Sequence, residues 1–206
     1  QRQMCIRDRP YIVNENVTPG TSPNFFAYYL APNGDRTRLR EAGYTEDEVP
    51  AGSHAQYVVP TQAYCDFLAE DARDTRTDVS VRVFEDKFLT EEVQIKRMVV
   101  KFKGSFANDT RSFDSDVPVY RLAEAYLLKA EVENALGNTD AALQNLNVVA
   151  KRAYGVDNYY TARTQDAIDN AIISEILKEF VAESNAARHK GFPFLLKFNS
   201  LQNISA

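Results

Sequence analysis

Between residues 116 and 153 the apolar positions recur at three- and four-residue steps, the period of an α-helix with one buried face. Leu122, Ala123, Tyr126, Leu127 and Ala130 make the first stripe. Ala142, Leu143, Leu146, Val149, Ala150 and Ala153 make the second. Asp116 suits an N-cap, Pro118 suits the first helical turn, and Thr139 suits the cap of the second helix. Gly137 interrupts the two stripes and Gly155 follows the second as a C-terminal stop. The pattern predicts helices over about 117–136 and 139–153. A third is predicted over 165–185, where Ile168, Ile172, Ile173, Ile176, Leu177, Phe180 and Val181 form a stripe. Asp169, Glu175, Lys178, Glu179 and Glu183 lie mostly off that stripe and are expected on a solvated face.

The period changes upstream. Val79, Val81 and Val83 alternate with Ser80 and Arg82, which predicts a half-buried strand over 79–84. Residues 93–103 are its natural antiparallel partner, and Thr61 caps a short helix before it. Residues 10–60 hold no sustained period. Turn signals at Pro19-Gly20, Pro32-Asn33-Gly34-Asp35 and Ala51-Gly52 mark it as loop-rich, with one strand over 24–30. Small Ala130 and Ala142 flank the Leu136-Gly137 turn, the tetratricopeptide arrangement of two closely approaching helices. One such pair cannot bury its own stripes and must stack on other helices. The expected fold is mainly α: a tetratricopeptide-like helical scaffold with long loops and a short antiparallel β-hairpin.

The wording is narrower than the period. Asp116, Pro118, Tyr120, Arg121, Leu122, Ala123, Glu124, Ala125, Tyr126, Leu127, Leu128, Ala130 and Glu131 together resemble the signature helix of the SusD/RagB family. Those are surface glycan-binding lipoproteins of Gram-negative nutrient-uptake systems. Upstream, Asp71, Ala72 and Arg73 followed by Val99, Val100, Lys101 and Phe102 resemble the family's Asp-Pro-Arg turn and Lys-Tyr strand. Downstream, Glu179, Phe180 and Glu183 resemble its Glu-Phe-x-x-Glu helix. The ordered set covers about residues 60–185. Ala72 stands where the family has proline, Ile176 where it has arginine, and the chain after Glu183 keeps only basic residues followed by aromatics and leucines.

The first nine residues call for separate treatment. Met4, Cys5, Ile6, Arg7, Asp8 and Arg9 are what the transposase sequencing adapter ATGTGTATAAGAGACAG encodes in one frame when A or G follows. Residues 1–9 are therefore expected to be a non-native tail making few contacts. Residues 10–206 are expected to be part of a single SusD-like domain: loop-rich over 10–60, short helix and hairpin over 61–103, helices over 116–185. On this expectation a signal peptide and lipid-attachment cysteine would lie outside the chain.

Charge and cysteine remove several function classes. The formal charge is −5, and setting aside residues 1–9, with three arginines and one aspartate, leaves −7. An acidic chain without a basic run is a poor nucleic-acid binder. No stretch approaches the ~18 uninterrupted apolar residues of a membrane-spanning helix. Cys65, beside Tyr64 and Phe67, reads as a buried small hydrophobe rather than a thiol nucleophile, because nothing near it in sequence would activate it. His54 and His189 have no metal-ligating neighbour at a useful spacing. No catalytic residue, metal ligand or cofactor is expected. Asp71, Arg73, Asp74, Arg76 and Asp78 alternate in sign, which suits mutual pairing that fixes a loop.

Aromatics carry the one hint toward a ligand. With 11 Tyr, 12 Phe and no Trp, tyrosine and phenylalanine are the rings available for stacking on a sugar's C–H face. Tyr28, Tyr29, Tyr44 and Tyr57 sit in the loop-rich stretch among Asn24, Asn33, Asp35, Arg36 and Arg38, and are the candidate binding residues. The resemblance implies a non-catalytic protein on the surface of the outer membrane. It would capture oligosaccharide for a SusC-like TonB-dependent transporter and be held by a lipid anchor. The alternative is a tetratricopeptide-type protein-interaction scaffold. Such a scaffold would continue in similar helix pairs, whereas this chain interposes a hairpin and long loops.

Overall fold

Three helices appear where the apolar stripes place them. The computed structural model describes residues 5–9, 59–86, 94–101, 105–107, 110–112 and 117–183. They belong to two units, residues 1–8 with 118–206 and residues 9–117. In the first unit the long helices are α3 (Leu122–Ala135), α4 (Thr139–Tyr154) and α5 (Gln165–Glu179). Their core is Ala123, Leu127 and Ala130 from α3, Ala142, Leu143, Leu146 and Val149 from α4, and Ile168, Ile172 and Ile176 from α5 with Phe180 just beyond it. Ala130 and Ala142 are both fully buried, so the small side chains do set a close approach of α3 to α4. Ile176 lies in this core.

The ends of these helices follow backbone chemistry. Gly137 and Gly155 both take the left-handed conformation, at φ 78° and 68°, which glycine adopts without steric cost. The Gly155 N–H donates to the Lys151 carbonyl at 2.9 Å. Thr164 caps α5 by accepting from the Ala167 N–H at 3.4 Å. Asn134 ties the end of α3 to the start of α5, donating to the Gln165 carbonyl at 2.9 Å and to Asp169 Oδ1 at 2.6 Å.

Two boundaries differ from the sequence expectation. The first helix begins at Leu122, five residues late, because Val117–Arg121 is strand β6. Valine and tyrosine favour a pleated surface, and Pro118 disfavours helical backbone at Val117. Asp116 is therefore not the N-cap; Arg121 is, in extended conformation. The third helix stops at Glu179 rather than near 185, and Ala182 turns left-handed at φ 56°. β6 pairs with β1 (Cys5–Arg9), so the segment expected to make few contacts supplies a strand. Strand pairing uses backbone groups that every non-proline residue carries, so it is open to a segment of either origin.

In the second unit, α1 (Gln62–Leu68) is capped by Thr61 as expected, with the Tyr64 N–H donating to Thr61 Oγ1 at 3.2 Å. The charges that follow pair within the loop. Arg73 forks onto Asp71 at 2.9 and 2.6 Å, and Arg76 forks onto Asp74 at 2.8 and 2.7 Å. Asp74 and Arg76 are buried, so the second fork fixes the chain from inside. Short helix α2 (Thr77–Ser80) then leads into β2 (Val81–Asp86), antiparallel to β3 (Gln94–Val99) with Val81 opposite Val99. Val79 is in α2 rather than in the strand. It is exposed while Ser80 is buried, the reverse of the alternation. A second small antiparallel pair joins β4 (Ser105–Ala107) to β5 (Thr110–Ser112). Cys65 is buried as expected, and burial pushes its thiol above the usual value.

Candidate functional site

Gln165, Asp166, Asp169 and Asn170 of α5 are exposed, but the charged residues near its C-terminal end do not face water. Glu175, Lys178 and Glu179 are buried, with Glu175 at 0% exposure. This corrects the solvated face expected for the glutamates at four-residue steps. Glu175 follows Ile172 by three residues and Glu179 follows Ile176 by three, so both flank the apolar stripe and turn inward with it. Their partners come from other elements. Arg121, at the β6–α3 junction, donates to Glu179 Oε1 at 2.6 Å, to the Glu179 carbonyl at 2.8 Å and to Glu183 Oε2 at 2.9 Å. Its guanidinium carbon lies 4.7 Å from the centre of the Phe180 ring. Arg152 of α4 pairs with the other oxygen of Glu179. Burial opposes the Arg121 charge, yet attraction by Glu179 and Glu183 and hydrogen bonds to both outweigh it, and its pKa is raised.

One turn earlier, Glu175 Oε1 accepts from two phenols, Tyr154 at 2.9 Å and Tyr160 at 2.8 Å. Tyr159 stacks on Tyr154 with ring centres 3.9 Å apart and planes 4° from parallel. Tyr160 meets Tyr159 edge-on at 4.9 Å. The backbone of Tyr160 is held on both sides by buried Asn147. The Tyr160 N–H donates to Asn147 Oδ1 at 2.8 Å, and Asn147 Nδ2 donates to the Tyr160 carbonyl at 2.9 Å. An aromatic cluster at the α4–α5 connection is thus fixed by one buried carboxylate and one buried amide. Sequence reasoning passed over Tyr154, Tyr159 and Tyr160. The signal present was the Tyr-Tyr pair beyond the Gly155 stop, but its partners Asn147 and Glu175 are distant in sequence.

The cluster has a measurable alkaline signature. Burial first, then the Glu175 charge, raises the Tyr160 hydroxyl well above its ordinary 10.0. The fold keeps that proton while the unfolded chain loses it above pH about 10. Stability should therefore fall with rising pH by up to about 1.4 kcal/mol per unit in that range. Thermal unfolding of the wild type should steepen against pH above about 10, and Tyr160→Phe should flatten the slope. Equal slopes would remove Tyr160 from this role.

The four tyrosines singled out from the sequence, Tyr28, Tyr29, Tyr44 and Tyr57, lie outside the described residues, as do His54 and His189. Among the described residues no group of three His, Cys, Asp or Glu side chains could hold a metal ion. No described helix is long and apolar enough to cross a membrane.

The tie between Arg121 and the Glu-Phe-x-x-Glu stretch joins two of the segments that resembled one family. A profile of the SusD family matches residues 26–187. This chain belongs to the SusD family. Solved structures agree in fold. A SusD superfamily protein from Bacteroides fragilis NCTC 9343 superposes with a TM-score of 0.65 at 24% identity, over 87% of this chain and 38% of that one. A SusD superfamily protein from Bacteroides vulgatus ATCC 8482 gives 0.56 at 22% identity, over 79% and 38%. NanU of B. fragilis gives 0.53 at 21% identity, over 79% and 37%. No match was found among the curated proteins. The SusD-family chain spans about two fifths of the length of the solved structures it matches. Its mainly helical, SusD-like fold is the one expected from the sequence.

Proposed function

We propose that this chain serves a non-catalytic nutrient-binding protein of an outer-membrane uptake system, one that captures oligosaccharide for a SusC-like TonB-dependent transporter. The observation that carries the reading is the SusD-family match over residues 26–187. SusD-family proteins are generally surface proteins associated with the outer membrane. They bind glycans and work with transporters of the SusC type. Attachment through a lipid anchor and capture without catalysis follow from the same reading. Tyr28, Tyr29, Tyr44 and Tyr57 all fall inside the matched residues, and their stretch mixes aromatics with Asn, Asp and Arg, the chemistry that sugar recognition needs.

The test is titration calorimetry of an oligosaccharide that binds, comparing wild type with a variant carrying Tyr→Ala at positions 28, 29, 44 and 57. Stacking on an aromatic face is worth roughly 1–3 kcal/mol on the scale measured for nucleic-acid bases. A loss in that range with an unchanged melting midpoint is the expected result; equal affinities would remove these four residues from the site.

One observation favours a second reading, a tetratricopeptide-type interaction scaffold. Helix α3 is apolar on its outer side too, where Leu128, Val132 and Leu136 are exposed. The two small antiparallel strand pairs and the single α3–α4 hairpin among the described residues run against it, since a scaffold continues in similar pairs.

A further inference from the structure

Helix α3 carries two apolar stripes. The inner one, Ala123, Leu127 and Ala130, is in the core. The outer one is Leu122, Ala125, Leu128, Val132, Ala135 and Leu136, all exposed. At about 100° per residue these six centre on the side opposite the inner stripe. Lys129 is the charged residue among them. A helix that is apolar on both sides belongs between two partners, whereas a surface helix turns polar residues outward. The 14 residues of α3 make a strip about 21 Å long and about 10 Å wide. Its roughly 200 Å² compares with the ~800 Å² that each partner gives to a stable complex. A separate protein would find too little there to hold it. A segment of the same chain forgoes no translational freedom on docking and needs less.

Such a segment starts beside the strip. Arg121, which directly precedes Leu122, holds Glu183 at 2.9 Å. By Glu183 the helix α5 has ended, with Ala182 left-handed. Residues 184–206 follow and lie outside the described residues. Six of the ten residues 192–201 are Phe or Leu: Phe192, Phe194, Leu195, Leu196, Phe198 and Leu201. So dense an apolar run is unfavourable in water. Nine residues carry the chain from Glu183 to Phe192, a reach of up to about 30 Å, which exceeds the length of the strip.

We propose that the outer face of α3 is an intramolecular docking surface and that residues 192–201 of this chain occupy it. The proposal stands apart from the glycan-binding reading. It bears on the scaffold reading, because a face covered from within is not offered to other proteins. The experiment is limited trypsin digestion of the full 206-residue chain, with cleavage after Lys197 followed by mass spectrometry. Docking shields Lys197, which lies within the apolar run, and cleavage then follows the undocked population. Leu128→Gln with Val132→Gln should speed that cleavage by at least about tenfold, since two aliphatic contacts are lost. Glutamine keeps the helix and adds no trypsin site. Phe192→Ser with Phe194→Ser should speed it similarly, and it carries the test if the helix variant fails to fold. Combining both pairs should add little to either alone, because each removes the same contact. Cleavage after Lys197 equally fast in wild type and variants overturns the proposal, as do effects of the two pairs that simply add. Protection that disappears on dilution also overturns it, since a second copy then supplies the segment.

Discussion

Arg121→Met should lower the unfolding free energy by about 3–5 kcal/mol, the usual cost of removing one partner from a buried ion pair. The side chain joins two carboxylates that are each 2% exposed, and it is itself 11% exposed, so solvent screens this cluster little. Methionine fills a similar volume but leaves Glu179 and Glu183 without the cation they share. Arg152 still reaches Glu179, which limits the loss at that carboxylate. Arg121→Lys should fall between the two, because an ammonium cannot fork across two acceptors while lying over the Phe180 ring. Adding Glu183→Gln to Arg121→Met should recover part of the loss, since one of the two carboxylates that lost the arginine is then neutral. Urea unfolding of the four proteins checks this. A midpoint for Arg121→Met equal to wild type would show that the cluster contributes nothing to stability.

Leu127→Asp should be more damaging still. Leu127 is fully buried among Ala123, Ala130 and the apolar residues of α4 and α5. Deleting such a side chain to alanine costs about 2–5 kcal/mol through lost transfer energy and the cavity left behind. Aspartate adds a carboxylate to a site whose described core neighbours are apolar, and a buried charge without a partner costs more than the cavity. The total approaches the whole stability of an ordinary domain, about 5–15 kcal/mol, so the helical unit should lose its cooperative melt. Circular dichroism against temperature reads this directly. A cooperative transition within a few degrees of wild type would show that α3 does not pack as described.

The local features were legible where one residue's chemistry decides the outcome. Gly137 and Gly155 mark left-handed positions because they lack a Cβ, and they hold them here. Thr61 caps α1 through its own hydroxyl three residues from the N–H it accepts. Asp71 with Arg73, and Asp74 with Arg76, pair within three residues, so alternation of sign was enough to anticipate the loop. Cys65 is buried, as a lone thiol between aromatics suggests. The stripes on α3, α4 and α5 were visible because helical period repeats several times in each.

The start of α3 was misjudged because Asp116 and Pro118 have local helix-start chemistry, while pairing with Cys5–Arg9, over a hundred residues away, extends the same stretch. The four-residue spacing of Glu175, Glu179 and Glu183 was plain, but spacing alone does not distinguish a face in water from a face against arginines and phenols. Arg121, Arg152, Tyr154 and Tyr160 settle it, and they come from three other stretches of the chain. By itself the sequence determined the helices, their apolar faces, the turns and the family, because these depend on neighbours within a few residues or on ordered motifs. Only the tertiary structure decided which charges are buried and which aromatics share one carboxylate. The desolvation cost of a charge is offset by partners that folding alone brings within hydrogen-bonding distance.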